Sequence, residues 1–485
     1  MRTSGILLHP TSLAGGHGIG DLGPSARKFA DWLHAAGQRI WQVLPLGPVG
    51  YGESPYQLFS AFAGNPLLIS LDVLVERGWA RAEELADAPR CGADRVEFER
   101  AVPWKTERLR RAWRGFRERA AATDRDEFAA FRRERAAWLE DYARFMAHKE
   151  ANGGTAWTEW DPRAKASEGD EDYHAWTQFE FFREWHALRE YCVARGIRLM
   201  GDLPIYVAED SADVWAHRDL FRFDAAAGVP PDYFSATGQM WGNPLYRWER
   251  MAADGYRWWV ERMRAALELF DLVRMDHFRG FEAYWAVPAG ERTAVRGKWE
   301  KGPGAELFRV LERELGKLPL VAENLGVITP EVEAIRGEFG FPGMAVLQFA
   351  FGTDPQAPSF RPHNYPRNIV AYTGTHDNDT AMGWWSGGGG ASTRSAEDVE
   401  REKARARAYL ATDGSEMNWV MIRALMASVA DTVLFPMQDV LGLGSAARMN
   451  TPAVADGNWR WRVRGEALKE EVAARLREMA ELYER

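Results

Sequence analysis

An arginine and an aspartate end a short apolar segment near the middle of the chain. In the stretch LVRMDHF, which covers residues 272–278, Arg274 and Asp276 are two positions apart. Residues two apart share one face of a β-strand, so these side chains are expected to point the same way. A guanidinium beside a carboxylate favours the ionised form of that carboxylate. The pair is therefore either a structural ion pair that closes a strand or a charged carboxylate available for chemistry.

Two further acids follow apolar segments in the same manner. Glu323 follows LPLVA, and Asp377 follows NIVAYTGTH. Glu323 has no cation next to it in the sequence, and burial is expected to raise its pKa. Glycoside chemistry needs one ionised carboxylate to attack the anomeric carbon and one protonated carboxyl to donate to the leaving oxygen. Asp377 would then bind sugar hydroxyls. Glu323 taken alone could equally cap a helix, but three such acids together favour catalysis.

Eight apolar, β-rich segments are predicted to be the strands that carry these acids. They are residues 39–48, 65–72, 197–207, 272–278, 318–324, 344–351, 368–379 and 431–442. Several are nearly continuous hydrophobic runs, which is typical of strands buried on both faces. Helical patterns lie between several of them, and the alternation predicts an α/β fold, namely a closed (β/α)8 TIM barrel. An open doubly wound sheet is the alternative. In a barrel, the carboxyl ends of the strands form the active site, where the three acids would meet.

The barrel is expected to form one catalytic domain over residues 1–485, with two inserted subdomains. Residues 76–195 are dense in Arg, Glu, Ala and Trp with helical periodicity, and they predict a helical insertion. Residues 220–262 are rich in Pro, Gly and aromatic side chains, and they predict a loop region that contacts the substrate. Residues 384–398 include four consecutive glycines and predict a surface loop.

The composition indicates a folded, acidic chain with many aromatic side chains. Of 485 residues 46% are apolar, and the formal net charge is −9, which disfavours a nucleic-acid partner. The two cysteines match neither a zinc site nor a disulfide scaffold. With no signal-peptide pattern and no apolar run of the ~18 residues that span a membrane, a cytoplasmic location is expected. Many of the 22 Trp lie in polar Gly/Pro-rich segments. There the apolar faces of their rings would suit sugar rings. Any individual tryptophan is nevertheless expected to belong to the core or to support a loop.

Three other patterns are interpreted as unrelated to function. GIGDLG, residues 18–23, matches a dinucleotide-binding pattern but lacks the preceding strand and the acid ~20 positions later. HDND, residues 376–379, is too short for a calcium loop, and His9 and His17 are not expected to bind a metal. The sequence contains no GxSxG motif and no P-loop.

Ten longer stretches are more specific. They are TSLAGGHGIGDLG, WQVLPLGP, SPYQLFSAFAGNP, GDLPIYVAEDSADVW, PPDYFSATGQMWGNPLY, VRMDHFRGF, AENLG, PGMAVLQFAF, YTGTHDNDT and RMNTPA. Together they resemble the 4-α-glucanotransferases of glycoside hydrolase family 77, in the α-amylase clan. The resemblance runs nearly end to end and is loose only over the helical insertion. It implies a (β/α)8 barrel with inserted subdomains and no C-terminal β-domain.

The resemblance also implies roles for individual residues. It implies Asp276 as nucleophile, Glu323 as general acid/base and Asp377 as transition-state stabiliser. It implies substrate contacts at Tyr56, Asp202, Arg274 and His376, and subsite contacts at Ser54, Gln239, Trp241 and Asn450. Residues 230–242 would form a loop over the bound glucan, and neither a metal nor an organic cofactor is implied. Ala453 departs from the family pattern, which has glycine there, and this change would affect the shape of a nearby subsite.

The reaction implied is retaining transfer of an α-1,4-glucan segment to the 4-OH of an acceptor. Maltooligosaccharides, amylose or starch are the expected partners, with glucose as an acceptor and with no nucleic acid, membrane or obligate protein partner. A hydrolase of the same clan is one alternative, because it would use the same three acids. A non-catalytic glucan-binding protein is the other, although it would not need an arginine-paired aspartate beside an unpaired glutamate.

Overall fold

A computed structural model gives the structure of the chain and describes residues 2–15, 17–89, 91–231, 236–387 and 395–485. Its strands are β1 (Thr3–Leu7), β2 (Ile40–Gln42), β3 (Arg198–Leu203), β4 (Phe221–Val229), β5 (Gln239–Tyr246), β6 (Leu272–Met275), β7 (Ala283–Pro288), β8 (Lys298–Lys301), β9 (Leu320–Ala322), β10 (Gly343–Val346), β11 (Ile369–Tyr372) and β12 (Thr432–Pro436). Its α-helices are α1 (Pro24–Ala35), α2 (Leu71–Glu76), α3 (Phe98–Arg119), α4 (Ala122–Glu134), α5 (Ala136–Ala151), α6 (Glu168–Val193), α7 (Ala212–Ala216), α8 (Trp248–Ala253), α9 (Arg257–Leu269), α10 (Ala305–Leu315), α11 (Pro330–Glu338), α12 (Ala381–Ser386), α13 (Ala396–Leu410), α14 (Met417–Ala427), α15 (Met437–Val440) and α16 (Glu470–Leu482).

Eight of the strands form one parallel sheet in the order β10-β11-β12-β1-β2-β3-β6-β9. The two ends of this order also meet. The Ala322 N–H donates to the Pro342 carbonyl at 2.8 Å, and the Met344 N–H donates to the Asn324 side-chain oxygen at 2.8 Å. These bonds connect β9 to the start of β10 and close the sheet. The predicted (β/α)8 barrel is therefore confirmed, and the open-sheet alternative is excluded.

One predicted strand is wrong and one barrel strand was missed. Residues 65–72 form a 3-10 turn and the start of α2, because Asn65 accepts the Leu67 N–H and Ser70 accepts the Val73 N–H. Such caps satisfy backbone donors at a helix start and so favour helix over strand. The missed strand is β1, whose TSGIL sequence has little β-propensity of its own. It is a strand because β12 and β2 pair with it on both sides.

The four strands outside the barrel form an antiparallel sheet in the order β5-β4-β7-β8. The predicted loop character of residues 220–262 is therefore wrong, since this region contains β4, β5, α8 and α9. Residues 98–193, within the predicted helical insertion, form α3 to α6. The domain boundaries themselves stay a prediction. The four consecutive glycines begin at residue 387, and three of them, with residues 391–394, lie outside the described residues.

The glycines of GIGDLG allow close packing at the start of α1. The Asp21 carboxylate accepts the Gly23 N–H at 3.1 Å, directly before Pro24 begins the helix. A Cβ on Gly23 would collide with the Ser70 hydroxyl. Gly23 thus allows the starts of α1 and α2 to lie close together.

The packing around β1 leads to a stability prediction. A Cβ on Gly5 would collide with the Ile40 carbonyl oxygen, which is rigid backbone. We expect Gly5→Ala to destabilise the fold by about 1–3 kcal/mol through overpacking. Gly337→Ala is the control, because nothing lies within 4 Å of its added Cβ and the residue is in α11. Helix propensity should make that change neutral or stabilising by up to about 1 kcal/mol. Urea unfolding of both variants measures the difference, and equal stabilities would contradict the packing argument.

Candidate active site

The three acids lie beyond the carboxyl ends of barrel strands. Asp276 follows β6 and Glu323 follows the adjacent β9. Their backbones extend the ladders by one bond each: the Asp276 N–H donates to the Leu203 carbonyl at 3.0 Å, and the Glu323 N–H donates to the Met275 carbonyl at 3.1 Å. Asp377 follows β11. The barrel thus presents all three acids at the same end, where barrel enzymes build their active sites.

Arg274 connects two carboxylates on neighbouring strands. Its Nη1 lies 2.6 Å from Asp202 Oδ2 and 2.9 Å from Asp276 Oδ1. Asp202 is opposite Arg274 in the β3–β6 ladder, and its side chain is fully buried. The Tyr56 hydroxyl donates to the same Asp202 oxygen at 2.9 Å. The Arg274–Asp276 pair expected from strand alternation is present, and the sheet adds Asp202 and Tyr56 to it.

Charge and burial act in opposite directions at this cluster. Burial alone would lower the pKa of Arg274, but the carboxylates of Asp202 and Asp276 raise that pKa well above its ordinary value. Burial raises the pKa of Asp202, and the contact with Arg274 opposes the rise. The arginine therefore stays charged and contacts the side chains of both acids.

Glu323 is held by two backbone N–H groups. Its Oε2 accepts from the His277 N–H and its Oε1 from the Leu325 N–H, both at 2.8 Å. Burial raises the pKa of Glu323 to about 7, while Arg274 and the two N–H groups oppose the rise. The rise expected from the sequence is thus confirmed. His277, which sequence reasoning did not single out, adopts a left-handed backbone with φ 47° and ψ 52°.

Asp377 is the most open of the three acids, with 44% of its side chain exposed. The Asn450 side-chain amide donates to its Oδ1 at 2.7 Å. The Arg448 guanidinium donates to the Asp377 carbonyl at 2.6 Å and to the Asn450 carbonyl at 2.7 Å. Arg448 therefore holds these two residues together. The role of Arg448 was not predicted from the sequence, although this residue begins the RMNTPA stretch.

Three aromatic rings pack at the same mouth. The ring centroids of Tyr56 and His376 are 5.2 Å apart with the planes 17° from parallel. Trp459 lies 5.9 Å from His376 and 6.0 Å from Tyr56. Burial lowers the pKa of His376, so its ring is neutral near pH 7. Trp459 was not predicted at the site, although it lies in GNWRWRV, residues 457–463, a polar segment with two tryptophans.

The remaining predicted subsite residues lie in different settings. Trp241 was not expected in a strand, but it lies in β5, where pairing with β4 outweighs the Gly, Asn and Pro around it. Its half-buried ring meets the His277 ring edge-on at 4.8 Å, and its N–H donates to the Gln239 side chain at 3.1 Å.

The Ser54 hydroxyl accepts the Tyr56 N–H at 3.2 Å. Within the predicted covering loop, residues 232–235 lie outside the described residues.

Ala453 adopts a positive φ of 64°. Glycine takes this conformation at little cost, whereas a Cβ makes it unfavourable. The backbone here therefore explains why glycine suits the position, and Ala453 keeps the same geometry under mild strain.

Within the described ranges, no group of three or more His, Cys, Asp or Glu side chains is placed to hold a metal ion. No helix among the same residues is long and apolar enough to cross a membrane.

Comparisons with known proteins identify the family of the chain. A family model described as 4-alpha-glucanotransferase matches residues 8–468. The chain belongs to the 4-alpha-glucanotransferase family. A 4-alpha-glucanotransferase of Thermus thermophilus is 51% identical, covering 100% of this chain and 99% of the relative. One from Synechocystis is 48% identical over 100% and 98%. The solved amylomaltase from Streptococcus agalactiae in complex with acarbose has a TM-score of 0.93 and 37% identity, and covers 100% of both chains.

Membership of the 4-alpha-glucanotransferase family decides the class of reaction. The chain is a glycosyl-transferring enzyme, and the family acts on α-1,4-glucans. This confirms the function predicted from the sequence and excludes the non-catalytic alternative.

The surroundings of Glu323 lead to a titration prediction. Because burial raises its pKa from 4.5 to about 7, we expect the carboxyl to stay protonated until the pH rises through about 7. Carbon-13 NMR of glutamate-labelled protein measures this, and the Glu323→Gln variant identifies the resonance. A Glu323 resonance that titrates near 4.5 would show that the two N–H bonds and Arg274 fully offset the effect of burial.

Proposed function

We propose that the enzyme transfers glucan segments by double displacement, with Asp276 as the nucleophile and Glu323 as the general acid and base. In the first step an Asp276 oxygen attacks C1 of the donor glucan. The bond from C1 to the glycosidic oxygen breaks, and Glu323 gives its proton to that oxygen. The products are a glucosyl ester on Asp276, inverted at C1, and a released chain with a free 4-OH.

In the second step the acceptor takes the place of the released chain. Glu323, now a carboxylate, removes the proton from an acceptor 4-OH, and the oxygen attacks C1. The ester bond to Asp276 breaks, and a second inversion restores the α configuration. The single observation that carries this proposal is the placement of two acids after adjacent strands in different surroundings: Asp276 lies 2.9 Å from Arg274, while Glu323 is held by two backbone N–H groups and burial raises its pKa.

The other residues are proposed to hold the sugar at the point of reaction. Asp377 and His376, whose side chains lie 3.3 Å apart, would bind hydroxyl groups of the ring that carries C1. Tyr56 would stack against that ring while Asp202 holds the tyrosine hydroxyl. Such bonds stabilise the transition state if they strengthen as the ring flattens.

Transfer requires an acceptor sugar to compete with water at about 55 M, which a well-oriented bound hydroxyl can do through its high effective concentration. We propose that Ser54, Gln239, Trp241 and Asn450 line the donor and acceptor subsites that provide this advantage. Maltooligosaccharides, amylose and starch are the proposed donors, and glucose is the smallest proposed acceptor. A cytoplasmic location is proposed on the sequence features alone.

Incubation with maltotriose tests the proposed function. We expect a ladder of longer maltooligosaccharides together with glucose, because each transfer lengthens one chain and shortens another. Asp276→Asn is the matched control, since the amide has the shape of the carboxylate but cannot attack C1. Glucose and maltose without a ladder would indicate hydrolysis. A normal ladder from Asp276→Asn would refute the nucleophile assignment.

A substrate with a good leaving group separates the two roles of Glu323. We expect Glu323→Gln to lose cleavage of maltotriose by about 10²–10⁴-fold, the usual contribution of a general acid. The first-turnover burst of fluoride from α-glucosyl fluoride should fall much less, because fluoride leaves without a proton and the burst precedes the step in which Glu323 acts as the base. Fluoride-electrode and chromatographic assays measure the two rates. Equal losses on both substrates would show that Glu323 is not primarily the acid.

Trp241 is proposed to lie against the glucan and to exclude water. Aromatic contacts of this kind contribute about 0.5–1.5 kcal/mol beyond burial, so Trp241→Ala should weaken acceptor binding several-fold. We expect a higher ratio of hydrolysis to transfer with maltotriose. Trp299→Ala is the control, because Trp299 is also half-exposed and belongs to the same antiparallel sheet, but lies against Arg279. An unchanged ratio in Trp241→Ala would leave the tryptophan only a supporting role in β5.

A further inference from the structure

The backbone of His277 is unusual for a residue with a side chain. Its φ of 47° and ψ of 52° lie in the left-handed region, which residues with a Cβ rarely occupy. Both neighbours are fixed by backbone bonds. The Asp276 N–H donates to the Leu203 carbonyl at 3.0 Å, and the Phe278 N–H donates to the Glu323 carbonyl at 3.1 Å. The chain must therefore turn sharply at residue 277, and the surrounding barrel holds it there.

This turn decides where one peptide group points. The N–H of His277 belongs to the peptide that links it to Asp276, and it donates to Glu323 Oε2 at 2.8 Å. The other carboxyl oxygen accepts from Leu325, which lies in the loop of Glu323 itself. Only the first bond joins the two acids of the proposed reaction. A right-handed or extended residue 277 would rotate this peptide and turn the N–H away from Oε2.

We propose that His277 is a positioning residue whose left-handed backbone, and not its imidazole, aims this N–H at Glu323 and sets the spacing between the proton donor and Asp276. The inference rests on the proposed function, because it assigns a task only if Glu323 is the acid. It adds a residue that neither the sequence reasoning nor the family resemblance picked out.

The surroundings of the imidazole agree with a backbone role. Its ring meets the Trp241 ring edge-on at 4.8 Å, so Trp241 packs against it. A Cβ on Gly280 would lie only 3.1 Å from the His277 ring, so the turn of residues 278–281 packs against it closely. Burial lowers the pKa of His277 to about 4, and the ring is therefore neutral near pH 7. The ring is thus an uncharged group that fills the space between Trp241 and residues 278–281.

Two substitutions separate the backbone from the side chain. His277→Asn and His277→Val both remove the imidazole, but asparagine enters the left-handed region readily whereas a β-branched residue does not. Ala411→Val is the matched control, because Ala411 also has a left-handed backbone, with φ 51° and ψ 50°, and lies at the end of α13. It imposes the same conformational conflict away from the three acids. Urea unfolding establishes that each variant folds. If His277→Val does not, His277→Ala replaces it.

The readouts are maltotriose cleavage, fluoride release from α-glucosyl fluoride, and the pH profile. We expect His277→Val to cleave maltotriose about 10- to 100-fold more slowly than His277→Asn, a part of the contribution that general acids make. Its first-turnover burst of fluoride should fall far less, because forming the glucosyl ester from this substrate needs little proton donation. Arg274, Asp276 and the Leu325 N–H still face Glu323 in the variant. Loss of the His277 bond, which favours the carboxylate, should raise the pKa of Glu323. The alkaline limb of the profile should then move to higher pH in His277→Val but not in His277→Asn.

Three results would overturn the proposal. Equal losses in His277→Asn and His277→Val would assign the effect to the imidazole. An equal loss of fluoride release and maltotriose cleavage in His277→Val would show that Asp276 itself had moved. An altered pH profile in Ala411→Val would show that the profile reports general destabilisation, which also overturns it. A wild-type enzyme that does not disproportionate maltotriose would instead refute the proposed function.

Discussion

One buried guanidinium organises the mouth of this barrel. Arg274 has 5% of its side chain exposed and contacts the carboxylates of Asp202 and Asp276 through the same nitrogen. Removing one partner of a buried ion pair costs about 3–5 kcal/mol, because an uncompensated charge remains inside. The arginine, the two aspartates and the Tyr56 hydroxyl therefore form a unit in which each group depends on the others. The barrel supplies its geometry, since β3 and β6 are adjacent and Asp202 is opposite Arg274 in their ladder.

Glu323 lies next to this unit, but its pKa is set by a different combination of effects. Arg274 and two backbone N–H groups favour its charged form, and burial disfavours that form more strongly. The result is a carboxyl that holds a proton near neutral pH beside a carboxylate paired with arginine. Two carboxyl groups with different environments are what acid and nucleophile roles need in one site. The different roles of Asp276 and Glu323 in the proposed mechanism thus follow from their positions at the ends of β6 and β9 and from the groups that contact each carboxyl.

The rest of the mouth is built from residues that come from distant parts of the sequence. Asn450 and Arg448 hold the loop of Asp377, and Trp459 packs on His376 and Tyr56. Trp241 reaches His277 from the antiparallel sheet. One of these contacts, between Tyr56 and Trp459, joins residues more than 400 positions apart. They form because the closed barrel brings the ends of all eight strands to one side.

The barrel, seven of its eight strands and the Arg274–Asp276 pair could be predicted before the structure was known, because these features depend on local hydrophobic runs and on the two-residue period of a strand. The sequence also indicated the rise in the pKa of Glu323, since an acid after a buried strand is removed from water. The tertiary structure decided β1, whose TSGIL sequence becomes a strand only between two partners, and it turned residues 65–72 into capped helical turns. Contacts in the folded chain also place Trp241 in a strand and give His277 its left-handed backbone. They bring Arg448 against Asp377 and Trp459 against His376. These features depend on contacts between segments far apart in the chain, and a local pattern carries no information about which distant segment will lie beside it.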